Sequence, residues 1–364
     1  MTSTRDLFEP LSFAHGPSMR NRLMLAPLTN LQSHADGTIS DDEFRWLTKR
    51  AEGGFGLTMT CAAHVQRQGQ GFPGQLGIWS DDHLPGLTRL ASAINATGGL
   101  SSVQLHHAGM RSPVDLIGQT PVCPSDDPET GARALTGDEV EQLTEDFIAA
   151  AVRAKRAGFH GIEVHGAHGY ILCQFLSPTI NRRTDRWGGD PENRARIVVD
   201  ILKGVRARCG EDFQIGLRLS PERFGMELAE IRALAGQVMS ADLVDYLDMS
   251  LWDAFKKPND EAFQDRDLTG WFTDLPRGRA RLGVAGKIMT PAQATDLLAR
   301  GCDYVLLGRA AILHHDWPKL AEADAGFAPA SLPVTRDHLR SEGLGEAFVN
   351  YMATWKGFVR EEAA

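Results

Sequence analysis

Eight short apolar runs recur along the chain, separated by polar or glycine-rich turns and longer stretches of helical period. They are RLMLAPL (22–28), GLTMTCA (56–62), SSVQLHHAG (101–109), GIEVHGA (161–167), QIGLRLS (214–220), DYLDMSL (245–251), RLGVAG (281–286) and DYVLLGR (303–309). Each reads as a strand bounded by turn residues. Between them, DDEFRWLTKRAE (41–52), EVEQLTEDFIAAAVRAKRAG (139–158), PENRARIVVDILKGVRARC (191–209) and PAQATDLLARG (291–301) read as helices. Strands that alternate with helices pair in parallel, because each crossover returns the chain to the same end of the sheet. Eight such units close most naturally into an α/β fold of the (β/α)8 TIM-barrel type, with an open doubly wound sheet as the alternative.

The helix ends carry their own signals. Asp190 before Pro191, and Thr290 before Pro291, each offer an N-cap side chain ahead of a proline at the first helical position. Gly158 and Gly301 stand where helical runs should stop. A barrel needs about 250 residues, so the 364 residues are read as a single domain. Its core spans about 22–325, and a C-terminal tail follows at 326–364. The tail segment GEAFVNYMATWKGFV is rich in apolar residues; it closes the barrel base or reaches a neighbouring subunit, which leaves a homo-oligomer open.

Composition narrows the function. A net charge of −9 works against nucleic acid or an anionic membrane as partner, since both require a basic face. No apolar run approaches the roughly 18 residues of a membrane span, and the N-terminus MTSTRDLFEP lacks the apolar core of a signal peptide. A cytoplasmic protein acting on a small molecule is the expectation. The cysteines at 61, 123, 173, 209 and 302 are scattered without a CxxC pair, as free thiols are.

In a TIM barrel, chemistry collects at the C-terminal ends of the strands. Thr29, Gln104, His106, His107, Arg218, Gly286, Gly308 and Arg309 all fall there, as does HGAHGY (165–170). His165 and His168 could ligate a metal, making a metal-dependent barrel hydrolase a minor alternative. Glu163 alternates with Ile162 and Val164 and is expected to have the wrong parity to join them. No metal is assigned. GQGFPG (69–74) matches GxGxxG, but Pro73 interrupts it and no helix follows, so it reads as a rim loop rather than a dinucleotide site.

APLT (26–29), QLHHAG (104–109), HGAHGY (165–170), NRRTDRWGGDPENR (181–194) and LLGRAA (306–311) together resemble the Old Yellow Enzyme family of FMN-dependent ene-reductases, in the family's order and spanning residues 22–311. The resemblance implies a barrel holding FMN across its mouth, with NADH or NADPH as transient reductant. By position, Ala26, Pro27 and Leu28 line the isoalloxazine, Thr29 lies near its C4 carbonyl, and Gln104 meets the pyrimidine edge. Arg218 brings positive charge near N1 and O2, Gly286, Gly308 and Arg309 hold the phosphate, and Cys61 is counted among the cofactor-binding positions.

The same resemblance gives the histidines a role: His165 and His168 hydrogen-bond the carbonyl of an α,β-unsaturated substrate, and Tyr170 protonates its α-carbon. Thr29 stands where branches with a histidine pair often carry cysteine, and Leu31 where they often carry a substrate-facing tyrosine. NRRTDRWGGDPENR is read as mostly structural, with Arg183, Asp185 and Arg194 in a salt-bridge network. The expected activity is NAD(P)H-dependent reduction of activated C=C bonds. Alternatives are an FMN-dependent oxidative N-demethylase and, in another class, a flavin-binding protein without catalysis.

Overall fold

A computed structural model of the chain describes residues 2–360. All eight expected strands form: β1 (Leu23–Leu25), β2 (Leu57–His64), β3 (Leu100–His106), β4 (Gly161–Gly166), β5 (Gln214–Leu219), β6 (Tyr246–Ser250), β7 (Arg281–Ala285) and β8 (Tyr304–Leu307). Every neighbouring pair is parallel, and β8 pairs with β1 to close the barrel. Outer helices α1 (Asp41–Glu52), α2 (Leu84–Asn95), α3 (Gly137–Arg156), α4 (Pro191–Cys209), α5 (Leu228–Ser240) and α6 (Pro291–Ala299) lie between strands. In place of a long outer helix, β6 is followed by short pieces that include Gly270–Thr273, and β8 by Arg309–Leu313 and Trp317–Ala323.

Local signals set the helix starts. The Asp190 carboxylate accepts from the Asn193 amide, and Thr290 with Gln293 forms a reciprocal capping box. Gly158, just past α3, takes the left-handed φ of 91° that ends the helix without a Cβ clash.

Strand parity sorts the barrel into layers. Ile162, Val164, Ile215, Leu217, Leu282 and Val284 belong to the core cluster shared with the helices. The inward set forms a second cluster around Tyr246, Tyr304, Met24, Met59 and Leu306. Glycines make room for the two rings: a Cβ at Gly216 would sit 2.2 Å from the Tyr246 ring, and one at Gly283 2.1 Å from that of Tyr304. Above this layer come Gln104, Glu163, Arg218 and Asp248, all buried, and above them the open mouth.

The base is closed by the N-terminal segment, where Leu11 and Met19 pair and Phe13 packs on Tyr246. The tail therefore does not close the base. Its helix α7 (Glu346–Ala353) packs against α1 through Phe348 and Trp46, 4.8 Å apart edge to face, and the segment from Tyr351 to Trp355 reaches over the barrel mouth. Among the described residues, no helix is long and apolar enough to cross a membrane.

Candidate active site

Two adjoining cavities of 280 Å³ and 240 Å³ occupy the mouth. Pro27, Leu28, His168, Arg218, Trp252 and Trp355 belong to both, so they are lobes of one cleft. The first lobe adds Thr29, Gln104, His165 and Tyr170; the second adds Ala26, Gly286, Lys287, Gly308 and Arg309. Twelve of the thirteen sequence-derived site residues thus converge on one cleft. Cys61 does not line it: its thiol points outward to the Glu43 carboxyl at 2.9 Å, and the neighbouring Ala62 reaches the cavity instead. Leu31 is also absent from the wall. It has a left-handed φ of 58°, and a side chain on Gly74 would collide with its carbonyl.

The histidine turn is held by backbone geometry. His168 has φ 62° and Gly169 φ 73°. The His168 amide donates to the Ser220 hydroxyl at 3.0 Å. Gly169 is pressed so closely on Phe224 that a Cβ would lie 2.9 Å from its ring. Burial, reinforced by nearby Arg218 and Arg111, depresses the pKa of both imidazoles well below the usual histidine range, so both are neutral at pH 7. Each then has one donor and one acceptor nitrogen.

The hydrogen-bond pattern assigns them. The Ala167 amide donates to His165 Nδ1 at 3.4 Å, which leaves the proton on Nε2. That proton bridges 3.1 Å to His168 Nδ1, and His168 Nε2–H donates to the Ser250 hydroxyl at 2.7 Å. A carbonyl entering the cleft therefore takes over a donor that the two rings otherwise spend on each other and on Ser250.

Tyr170 follows the turn as the N-cap of a short helix, Ile171–Leu176. Its ring lies edge-on to His106, 4.3 Å between centroids, and to His165 at 5.2 Å. The Arg111 guanidinium covers its other side at 4.6 Å. Burial raises the phenol pKa, with Arg111 acting in opposition, so the group enters the cleft protonated.

Glu163 corrects the parity expectation. Residues two apart on a strand share a face, so Glu163 lies inside the barrel with His165. It does not turn toward the histidines. Its Oε1 accepts from Gln104 Nε2 at 2.7 Å, while Oε2 is buried without a partner. Burial, then the adjacent Asp248, raises the Glu163 pKa to about 8, so it is a neutral acid at pH 7. Arg218 Nε stands 2.8 Å from Asp248 Oδ2, an ion pair without hydrogen-bond alignment.

Sequence reading also missed Ser250 and Asp248, although both share the inward parity of Tyr246 in YLDMS. It missed Trp252, Tyr351, Met352 and Trp355, for which no local pattern signals a cavity role. Phe72, in the GQGFPG loop, lines the rim. In the long polar motif Arg183 pairs with Asp185, whereas Arg194 pairs with Glu230 of α5. The expected network is therefore two separate pairs.

The wall chemistry suits FMN. Ala26, Pro27 and Leu28 give an apolar bed for a flat ring, and Thr29, Gln104 and Arg218 offer polar groups at its edges. Lys287, Arg309 and the small Gly308 gather at the far lobe, where a phosphate needs positive charge and close backbone approach.

Comparison with known proteins agrees. Residues 6–325 match the model of the NADH:flavin oxidoreductase / NADH oxidase family. A probable NADH-dependent flavin oxidoreductase of Bacillus subtilis is 37% identical over 86% of this chain and 87% of its own. The old yellow enzyme homologue of Zymomonas mobilis superposes with a TM-score of 0.79 at 27% identity, over 95% of this chain and 99% of that one. Morphinone reductase in complex with tetrahydroNAD gives 0.78 at 28%, over 95% and 96%. The chain belongs to the NADH:flavin oxidoreductase / NADH oxidase family, that of the Old Yellow Enzymes, and is an NAD(P)H-dependent oxidoreductase with FMN as its cofactor.

Proposed function

We propose that the protein reduces the activated C=C bond of an α,β-unsaturated carbonyl compound, taking its electrons from NADH or NADPH in a ping-pong cycle. The observation that carries this reading is the grouping of a protonated, half-buried tyrosine with two neutral histidines in the lobe beside the apolar bed. Held by Ala26, Pro27, Leu28, Gln104, Arg218 and Arg309, FMN would supply the hydride chemistry that links the nicotinamide to the substrate's β-carbon. His165 and His168 donate to the carbonyl oxygen, where negative charge grows as the β-carbon is reduced. A donor at such an oxygen is worth on the order of 10²–10³ in rate. Tyr170 gives its phenolic proton to the α-carbon as general acid. The indole and phenol of Trp355 and Tyr351 narrow the opening, which limits water at the reacting atoms.

The test is anaerobic. Holoenzyme reduced with each nicotinamide in turn is offered enones and N-methylated amines. Flavin reoxidation by enones supports the proposal. Flavin reduction by an N-methylated amine, with no response to enones, would establish the demethylase alternative instead. In Tyr170→Phe, flavin reduction by the nicotinamide is expected near the wild-type rate, while reoxidation by the enone slows by about 10²–10⁴-fold. Stopped-flow absorbance of each half-reaction separates the two.

A further inference from the structure

The charge at the mouth runs against the charge of the chain. Overall the protein is at −9. Yet the ionised residues lining the cleft and its rim are Arg218, Arg223, Lys287, Arg309 and a single carboxylate, Glu222. Glu222 is neutralised by Lys256, Lys287 is paired with Asp253 at 3.1 Å, and Arg218 with Asp248. Arg309 lies at the phosphate lobe. That leaves Arg223 and, over Tyr170, Arg111. Neither has a carboxylate partner among the described residues.

Both are held in place by stacking and by backbone. Arg111 Nη1 donates to the His168 carbonyl at 2.5 Å while its guanidinium covers the Tyr170 ring. The Arg223 guanidinium lies 4.6 Å from the ring centroid of Trp252 and 5.4 Å from that of Phe224. Arg223, Phe224 and Trp252 all have left-handed backbones, with φ of 69°, 54° and 63°. Such a conformation is costly for non-glycine residues and persists where the surroundings impose it. Trp252 is nonetheless 61% exposed, so its ring and the arginine on it form part of the cleft's outer wall rather than of the core. Arg111 follows β3 and Arg223 follows β5, the strands on either side of β4; Arg111 bonds the His168 carbonyl, and Arg223 lines one small cavity with His168.

We propose that Arg111 and Arg223 form an anion subsite at the outer edge of the cleft, and that the enone held by His165 and His168 carries a carboxylate that this subsite binds. The inference rests on the ene-reductase reading and names its substrate class. A guanidinium fork matches a carboxylate in two parallel hydrogen bonds; Arg111 spends only Nη1 on the His168 carbonyl, which leaves its Nε and Nη2 as a pair, and Arg223 is stacked on the Trp252 ring by its face. The same chemistry would suit the phosphates of the nicotinamide nucleotide. We assign it to the substrate because Arg111 bonds the His168 carbonyl and Arg223 shares a cavity with His168, whereas neither lines the phosphate lobe.

Acetylacrylate, an enone bearing a carboxylate, and its methyl ester test this. Oxidised holoenzyme without reductant is titrated calorimetrically with each. The acid is expected to bind about tenfold more tightly or better at low ionic strength, with the gap closing as salt is raised. Arg111→Ala and Arg223→Ala should each lower the acid-to-ester ratio about tenfold, and the lysine variants should restore part of it. The same ratio is then measured in kcat/KM. Equal binding of acid and ester by the wild-type protein, or a ratio that survives both alanine substitutions, overturns the proposal. An unchanged ratio with weakened binding of NADH or NADPH overturns the substrate assignment in favour of the nucleotide phosphates. An acid bound through these arginines but never reduced would keep the subsite and fail the ene-reductase reading, so the two failures are separable.

Discussion

At the scale of single residues, the barrel interior places unusual ionisation next to the site. Glu163 is fully buried, with one oxygen on Gln104 and the other unpartnered, beside Asp248, Arg218 and the hydroxyl-bearing rings of Tyr246 and Tyr304. Its pKa rises from 4.5 to about 8 on folding. Between these values the native protein holds a proton that the unfolded chain has released, so stability falls as pH rises, and the loss is complete above about pH 8. Asp248, raised to about 6, acts in the same direction over a lower window. Glu163→Gln cannot ionise and should escape the first of these losses. Relative to wild type it is expected to gain roughly 4 kcal/mol between pH 5 and pH 9 in urea unfolding, the size that proton linkage gives for a shift from 4.5 to about 8. Parallel wild-type and variant profiles would show that Glu163 is not a neutral acid at pH 7.

Secondary-structure elements were the most legible part of the chain. All eight strands lie where short apolar runs predict them, and α4 and α6 begin at their expected caps. These signals are local: a cap involves residues three apart, and a strand's pattern repeats every second residue. Asp190→Ala removes the carboxylate that accepts from the Asn193 amide. It should cost about 1 kcal/mol, read as a lower urea midpoint with an unchanged slope, and should leave the cleft's ligand binding intact. Where elements were misjudged, the error lay in relating a residue to its neighbours in space. Glu163 was set apart from His165 although a two-residue spacing puts them on one face. Arg194 was matched with residues of its own motif although its partner, Glu230, comes from the next outer helix.

Across the whole molecule, the tail is what turns an open barrel mouth into an enclosed site. Trp355 lies in the wall of both lobes, and the Arg309 guanidinium sits 5.6 Å from its ring centroid. A cation over an aromatic ring contributes about 0.5–2 kcal/mol, and the indole also shields the bed from water. Trp355→Ala should therefore weaken FMN retention by about 5–30-fold, equivalent to about 1–2 kcal/mol. The fluorescence of flavin released on dilution measures it, and an unchanged Kd would mean that the tail only abuts the cleft.

The amino-acid sequence alone determined the alternation of strands and helices, the closed parallel barrel and the identity of most groups at its mouth. Each of these follows from short-range periodicity, caps and motifs that survive in one dimension. Only the tertiary structure decided which groups meet. It paired Gln104 with Glu163, joined His165 through His168 to Ser250, turned the Cys61 thiol away toward Glu43, and brought Trp355 over a cleft whose walls include residues as far back in the chain as Ala26. Such contacts depend on barrel closure and on which side chain faces inward at each level. A local pattern carries no information about a partner that distant in the chain.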